Sequence, residues 1–321
     1  MDRSMRIAVV YGGVSSEREP SLKSGQAAFE ALQRSGFTNA FLFDFQNTNI
    51  DRLITLRPDL ALIALHGKGG EDGSIQGALE LAGIPYTGSG IETSAVCMNK
   101  ILTKRLFDAL QIPTAAYTVL HRREYDAEPA LAARCLIGTL GLPLILKAPQ
   151  QGSSIGVFLV EHEERLREAL EDVFRYGDTI LAEEYLRGVE LTLPLLGNDE
   201  ITVLPEIELV SAAPIRSYEV KYSAGPGRHI IPARISETVR SQIQEIGKRL
   251  YRELNCRGCA RIDFIVDSRK DPAVLEVNTV PALTASSALP ASAKAAGLSL
   301  EDLIIKIISY GLHNKATGRN R

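Results

Sequence analysis

The chain has 321 residues, 45% hydrophobic and 23% charged, with a formal net charge of −3. That is the composition of a soluble globular protein with enough length for two or three cores. So small a net charge gives no field to attract nucleic acid or an anionic membrane, and no apolar run approaches the ~20 residues that cross a bilayer. The N-terminal MDRSMRIAVVYGG has no signal-peptide pattern. The four cysteines are too scattered for a disulfide framework, and the C-x-x-C at Cys256 and Cys259 has no second pair to complete a metal site. A reducing cytoplasmic location is expected.

In chain order, the pattern predicts a buried strand over 6–13 and an amphipathic helix over 21–36, closed by Gly36. Strands follow over 40–45 and 59–67, then a helix over 74–83. Apolar strands alternating with helices imply a parallel sheet covered on both faces, whose ligands bind at the carboxyl ends of the strands. The loops GGVSSERE (12–19) and HGKGGEDGS (66–74) fall there. A second, α+β unit is expected from residue 98: helix 100–110, strand 114–120, helix 127–140, strands 143–148 and 157–161, helix 162–175 and strand 179–186. A third unit opens with strands over 189–197 and 201–210. After an irregular stretch (211–235) come a long helix (237–254), strands over 259–268 and 273–279, and a helix over 299–312. The expected domains are therefore 1–97, 98–186 and 187–321.

The densest chemical signal is R-I-D-F-I-V-D followed by L-E-V-N. On a strand alternate residues share a face, so Arg261 points with Asp263, and Glu276 with Asn278. If the two strands are neighbours, two carboxylates and an amide meet beside a guanidinium. With nucleotide phosphates, that is a donor set for Mg²⁺, which binds through few protein oxygens. The same alternation sends Ile262, Phe264, Leu275 and Val277 to the opposite, apolar face; a solvated sheet face with mixed charges is the plain alternative. Lys147 ends an apolar strand just before QQGSSIG, where backbone N–H groups and hydroxyls can hold phosphate oxygens around a point charge. Lys100 begins a helix of the same unit. The loop GGVSSERE lacks the third glycine of a dinucleotide fingerprint and carries carboxylates, so Glu17 suits an ammonium better than a phosphate. His66 ends a strand in a loop dense with glycines and functional groups.

Taken together, the segments YGGVSSERE, LHGKGGEDGSIQGALELAGIPYTGSG, MNKILTK, LILKAPQQGSSIGV, YEVKY, ARIDF and LEVNTVPALT resemble the D-alanine–D-alanine ligase family of ATP-grasp enzymes. The resemblance runs from about residue 6 to residue 312, in the family's order. It implies an α/β and α+β, three-domain ATP-grasp fold with an N-terminal parallel-sheet domain. It also implies ATP-dependent joining of two D-alanines through an acyl phosphate, for peptidoglycan precursor synthesis, by a cytoplasmic homodimer.

By position, the resemblance places Glu17 on the ammonium of the first D-alanine, with His66 beside it. Lys100 and Lys147 would contact ATP phosphates. Glu183, Glu184, Leu186 and Glu190 would border adenine and ribose. Asp263, Glu276 and Asn278 would hold two Mg²⁺ ions, with Mn²⁺ as a substitute. Arg261 would stabilise the transferring phosphoryl group. Ser153 and Tyr222 would link to Glu17, closing the segment 211–235 over the site, and Lys221-Tyr222 favours an amine as second substrate. Ser287 would take the second substrate's carboxylate, near the backbone N–H of Ala282. Ala282 stands where the family has glycine and Ala288 where it commonly has leucine. Those two changes motivate a different acceptor, such as D-serine, D-lactate or a specialised-metabolite amino acid. A nucleotide-binding scaffold without ligase activity is the reading from another class.

Overall fold

The computed structural model describes residues 1–46, 49–210, 228–267 and 271–316. Three sheets organise them. The first is parallel, in the order β2-β1-β3, with β1 at Ile7–Gly12, β2 at Phe41–Phe45 and β3 at Leu60–Ile63. Its strands are apolar at nearly every position, Asp44 of β2 being the charged exception, because both faces are covered. Ile7, Val9, Leu60 and Leu62 point into one core, shared with the C-terminal helices Ala288–Ala295 and Leu300–Ala316. Ala8, Val10, Ala61 and Ile63 point into the other, against the helix Ser74–Leu81.

The second sheet is antiparallel, in the order β4-β7-β5-β6, from β4 (Tyr117–His121), β5 (Leu144–Lys147), β6 (Val157–Val160) and β7 (Thr179–Glu184). Helices Pro129–Leu140 and Glu163–Phe174 cover it through Leu136, Leu166 and Leu170. The helix expected over 127–140 is Pro129–Leu140, and a separate short helix, Arg122–Ala127, precedes it. Pro129 starts the longer one, where its missing N–H costs nothing.

The third sheet runs β11-β10-β8-β12-β13, with β9 also on β8. Its strands are β8 (Val189–Gly197), β9 (Ile201–Val203), β10 (Ile207–Val210), β11 (Arg228–Ile230), β12 (Gly258–Val266) and β13 (Ala273–Asn278). The single strand expected over 201–210 is broken between β9 and β10, where Pro205 has no N–H to give the ladder. The long helix Glu237–Glu253 packs Ile243 and Leu250 on this sheet, and the helix Lys100–Ala109 adds Phe107 to the same core.

β12 and β13 are antiparallel neighbours, with Arg261 opposite Asn278 and Asp263 opposite Glu276. The register shifts just after Asp263, where Phe264 pairs with Val274. That bulge corrects the expected alternation. Val274 and Val277 fill the core, while Leu275 turns to line a cleft with Ile265.

Candidate active site

A continuous cleft runs where the three sheets meet. One end is lined by Glu17, His66, Glu71, Arg261, Ala282, Ser287 and Ala288. The other is lined by Lys147, Glu183, Glu184, Leu186 and Leu275. Lys100, Ser153, Glu190, Asp263 and Glu276 border both ends and join them.

At the join, Asp263 collects its neighbours. Arg261 donates to both of its oxygens (Nε to Oδ1 at 2.9 Å, a terminal nitrogen to Oδ2 at 2.8 Å). Asn278 Nδ2 donates to Oδ2 at 3.1 Å, and Thr192 of β8 donates its hydroxyl at 2.5 Å. Thr192 pairs with Asp263 across the β8–β12 ladder, which is why its hydroxyl arrives on the same face. Glu276 faces the Lys100 ammonium at 3.3 Å. Asn99 caps the helix that begins with Lys100, accepting from the N–H groups of Ile101 and Leu102. That cap fixes Lys100 at the helix mouth, where its ammonium also donates to Gln151 O at 2.7 Å.

Among the described residues, no three His, Cys, Asp or Glu side chains cluster as a metal site would require. The set at the join is two carboxylates and one amide, the hard oxygen donors of a cation that completes its shell with water and phosphate.

The first end is built on the glycine-rich loops. The Glu17 carboxylate lies against Gly152 and Gly67. A Cβ at Gly152 would stand 2.2 Å from Glu17 Oε1, and one at Gly67, whose φ is +71°, 2.9 Å. Only a hydrogen fits there. The Ser153 hydroxyl donates to Glu17 Oε2, reaching across from the loop after β5. Ser153 and Ser154 both hold positive φ (52° and 62°), a strained backbone that turns the hydroxyl toward Glu17.

His66 is buried, its Nε2 2.9 Å from the Ser24 hydroxyl, which itself accepts from Leu283 N. Burial, then the charge of Arg261, lowers its pKa to about 4, so the ring is neutral. Glu71 has no role in the sequence reading. It accepts from Gly67 N at 2.7 Å, and burial followed by the charge of Glu17 pushes its carboxyl up to about 8. Its motif, HGKGGEDG, was legible, but the crowding that raises it needs the fold. Ser287 caps the helix Ala288–Ala295 by position, its hydroxyl 2.6 Å from that of Thr284.

At the other end, Lys147 of β5 and Glu183 of β7 form an ion pair. Glu184 accepts from Ala116 N at 3.1 Å, and Leu186 and Glu190 complete the wall. The structure thus gathers Glu17, His66, Lys100, Lys147, Ser153, Glu183, Glu184, Leu186, Glu190, Arg261, Asp263, Glu276, Asn278, Ala282 and Ser287 on one cleft. Lys221 and Tyr222 lie outside the described residues.

Two family models match this chain: D-ala D-ala ligase C-terminus over residues 106–309, and D-ala D-ala ligase N-terminus over residues 44–89. The chain belongs to the D-alanine–D-alanine ligase family. The D-alanine–D-alanine ligase of Pelotomaculum thermopropionicum is 43% identical over 312 residues, covering 97% of this chain and 98% of the relative. That of Carboxydothermus hydrogenoformans is 44% identical, covering 97% and 99%. The crystal structure of the Bacillus anthracis ligase complexed with ATP is 31% identical, with a TM-score of 0.80, covering 98% of this chain and 99% of that one. The ligase fold is therefore the three-domain ATP-grasp arrangement, with its parallel sheet at the N-terminus.

Proposed function

We propose that this chain joins two D-alanines to D-alanyl-D-alanine with ATP, through an acyl phosphate, for peptidoglycan precursor synthesis. The observation that carries the reading is the cross-strand pairing of Asp263 with Glu276 and Arg261 with Asn278, between a lysine-lined end and a carboxylate-lined end of one cleft.

The chemistry follows from these positions. A carboxylate accepts an amine poorly until one oxygen becomes a good leaving group. The γ-phosphoryl of ATP supplies it when the first D-alanine's carboxylate attacks phosphorus and ADP departs. Glu17 holds that substrate's ammonium, and Ser153 fixes the Glu17 carboxylate. Lys100 and Lys147 bind the phosphates, while Glu183, Glu184, Leu186 and Glu190 border the nucleoside. Arg261 stabilises the charge on the transferring phosphoryl group and then on the tetrahedral oxyanion. Asp263, Glu276 and Asn278 would hold Mg²⁺, two ions or Mn²⁺ in their place, which when bound neutralises phosphate charge. Ser287, at a helix N-terminus, takes the second substrate's carboxylate, near Ala282 N–H. The second amine attacks the acyl carbon, phosphate leaves, and the amine's proton is lost. Tyr222, with Ser153, is proposed to link to Glu17 and close the site over the acyl phosphate, where water would otherwise destroy it, and Lys221-Tyr222 to favour an amine as second substrate.

We place the enzyme in the cytoplasm, as a homodimer; no described helix is long and apolar enough to cross a membrane. Size-exclusion chromatography with light scattering tests the dimer.

The deciding assay is phosphate release from Mg-ATP with D-alanine, L-alanine, D-serine or D-lactate, run beside Glu276→Gln. Turnover with D-alanine alone, lost in the variant, is the expected result. A better rate with a mixed pair would move the assignment to another acceptor, with Ala282 and Ala288 as the residues responsible. No ATP turnover under any pairing would leave a nucleotide-binding scaffold.

A further inference from the structure

Lys104 sits one helical turn beyond Lys100, on the helix Lys100–Ala109, yet it does not line the cleft. It is among the largest fully buried side chains, 1% exposed. Its ammonium donates to Thr114 Oγ1 at 2.6 Å and Ala115 O at 3.2 Å, and it stands 2.7 Å from Glu183 Oε1 as an ion pair. The Thr114 hydroxyl in turn donates to Val274 O of β13, tying the group to the strand that carries Glu276. The Tyr117 ring centroid lies 5.5 Å away, and the Tyr117 hydroxyl is held by Asp108 of the same helix.

The other oxygen of Glu183 belongs to Lys147, so one buried carboxylate serves two lysines. Lys147 and Glu183 line the cleft; Lys104 stands behind them. The two ammonium groups and one carboxylate leave one unit of positive charge, and the open side of the group is Lys147. Burial alone would raise Glu183; the two lysines outweigh it and hold its pKa below the usual carboxylate value. Burial also lowers Lys104, with the Lys147 charge in the same direction, while Glu183 and Asp108 oppose it.

We infer that Lys104 is a positioning residue for the nucleotide: it neutralises Glu183 from behind, leaving the Lys147 ammonium uncompensated toward the ATP phosphates. Without Lys104, Lys147 and Glu183 would cancel each other, and Lys147 would offer the phosphates no net charge. This rests on the proposed ATP-dependent reaction, and it assigns work to a lysine that never touches substrate.

The test measures dissociation constants of Mg-ATP and of adenosine, without D-alanine, for four proteins: wild type, Lys104→Met, Glu183→Gln and the double variant. If affinity follows the net charge of the group, Lys104→Met weakens ATP about tenfold, the effect of one charge acting across roughly 8 Å of partly screened protein. Glu183→Gln binds ATP more tightly than wild type, and the double variant returns to the wild-type value. Adenosine, which has no phosphates, changes little in Lys104→Met. A merely structural role for Lys104 gives another order: the double variant is no better than Lys104→Met, and adenosine is lost along with ATP. That order, or a Lys104→Met with wild-type affinity, overturns the inference. If Lys104→Met alone fails to fold by thermal unfolding, Glu183→Gln and the double variant still decide it. Wild type that binds no ATP would fail the proposed function instead, a result visible before any variant is made.

Discussion

The two ends of the cleft hold carboxylates in opposite states. Glu183 has two lysines and stays ionised, below its usual range. Glu71 has the backbone N–H groups of Gly67 and Val280, a neighbouring carboxylate in Glu17 and the help of Arg261, and burial with the Glu17 charge still pushes it up to about 8. Burial is common to both, so it does not decide the charge; the partners do. The contrast suits the proposed chemistry, with positive charge at the end proposed for phosphate and an adjustable proton at the end proposed for amines.

The sharpest break comes at the join between the ends. Arg261→Ala removes the guanidinium proposed to serve both the phosphoryl group and the oxyanion, and we expect kcat/KM to fall by about a thousandfold or more. A steady-state assay with Mg-ATP and D-alanine reads this; a drop below tenfold would take Arg261 out of the chemical step. Next is Glu183→Leu, which strands two lysines at the nucleotide end. Breaking a buried ion pair costs about 3–5 kcal/mol, and urea unfolding at pH 7 should show a loss of that order. Equal stability would mean that water reaches these lysines freely.

The amine end should respond to pH in two opposed ways. The folded pKa of His66, about 4, lies below its unfolded value of 6.5. Between those values the unfolded chain binds more protons, so stability falls as pH drops from 6.5 toward 4, by up to about 3 kcal/mol. Glu71 runs the other way. Its folded pKa of about 8 exceeds the unfolded 4.5, so its contribution is full below 4.5 and is lost as pH rises toward 8. Chemical denaturation from pH 4 to 8 separates them: His66→Gln should flatten the acid limb, and Glu71→Gln should gain most over wild type near pH 8. Unchanged limbs in both variants would mean that neither group is as enclosed as its surroundings indicate. The smallest change is Gly152→Ala, a single methyl aimed at Glu17 Oε1. It should raise KM for D-alanine while leaving ATP affinity within a few fold. Equal loss of both would show that the loop moves as a whole.

Much of this was readable one strand at a time. Period-two alternation placed Arg261 with Asp263 and Glu276 with Asn278, because side-chain direction on a strand is a local property. Helices at 50–56, 91–98 and 288–295 were not readable from periodicity. They are only seven or eight residues long, and such helices are held by packing more than by propensity. Leu275 was misplaced because a bulge, set by pairing with β12, breaks the alternation there.

The sequence by itself determined the strands, the loops at their ends, the lysines and carboxylates they carry, and the family to which those motifs point. Only the tertiary structure decided which of these groups meet. It placed Ser24 on His66 across 42 residues. It also buried Lys104 behind Glu183, and it crowded Glu71 against Glu17 until the carboxyl retained its proton. The physical reason is that charge state depends on distance and burial, and both are set by packing between elements far apart in the chain.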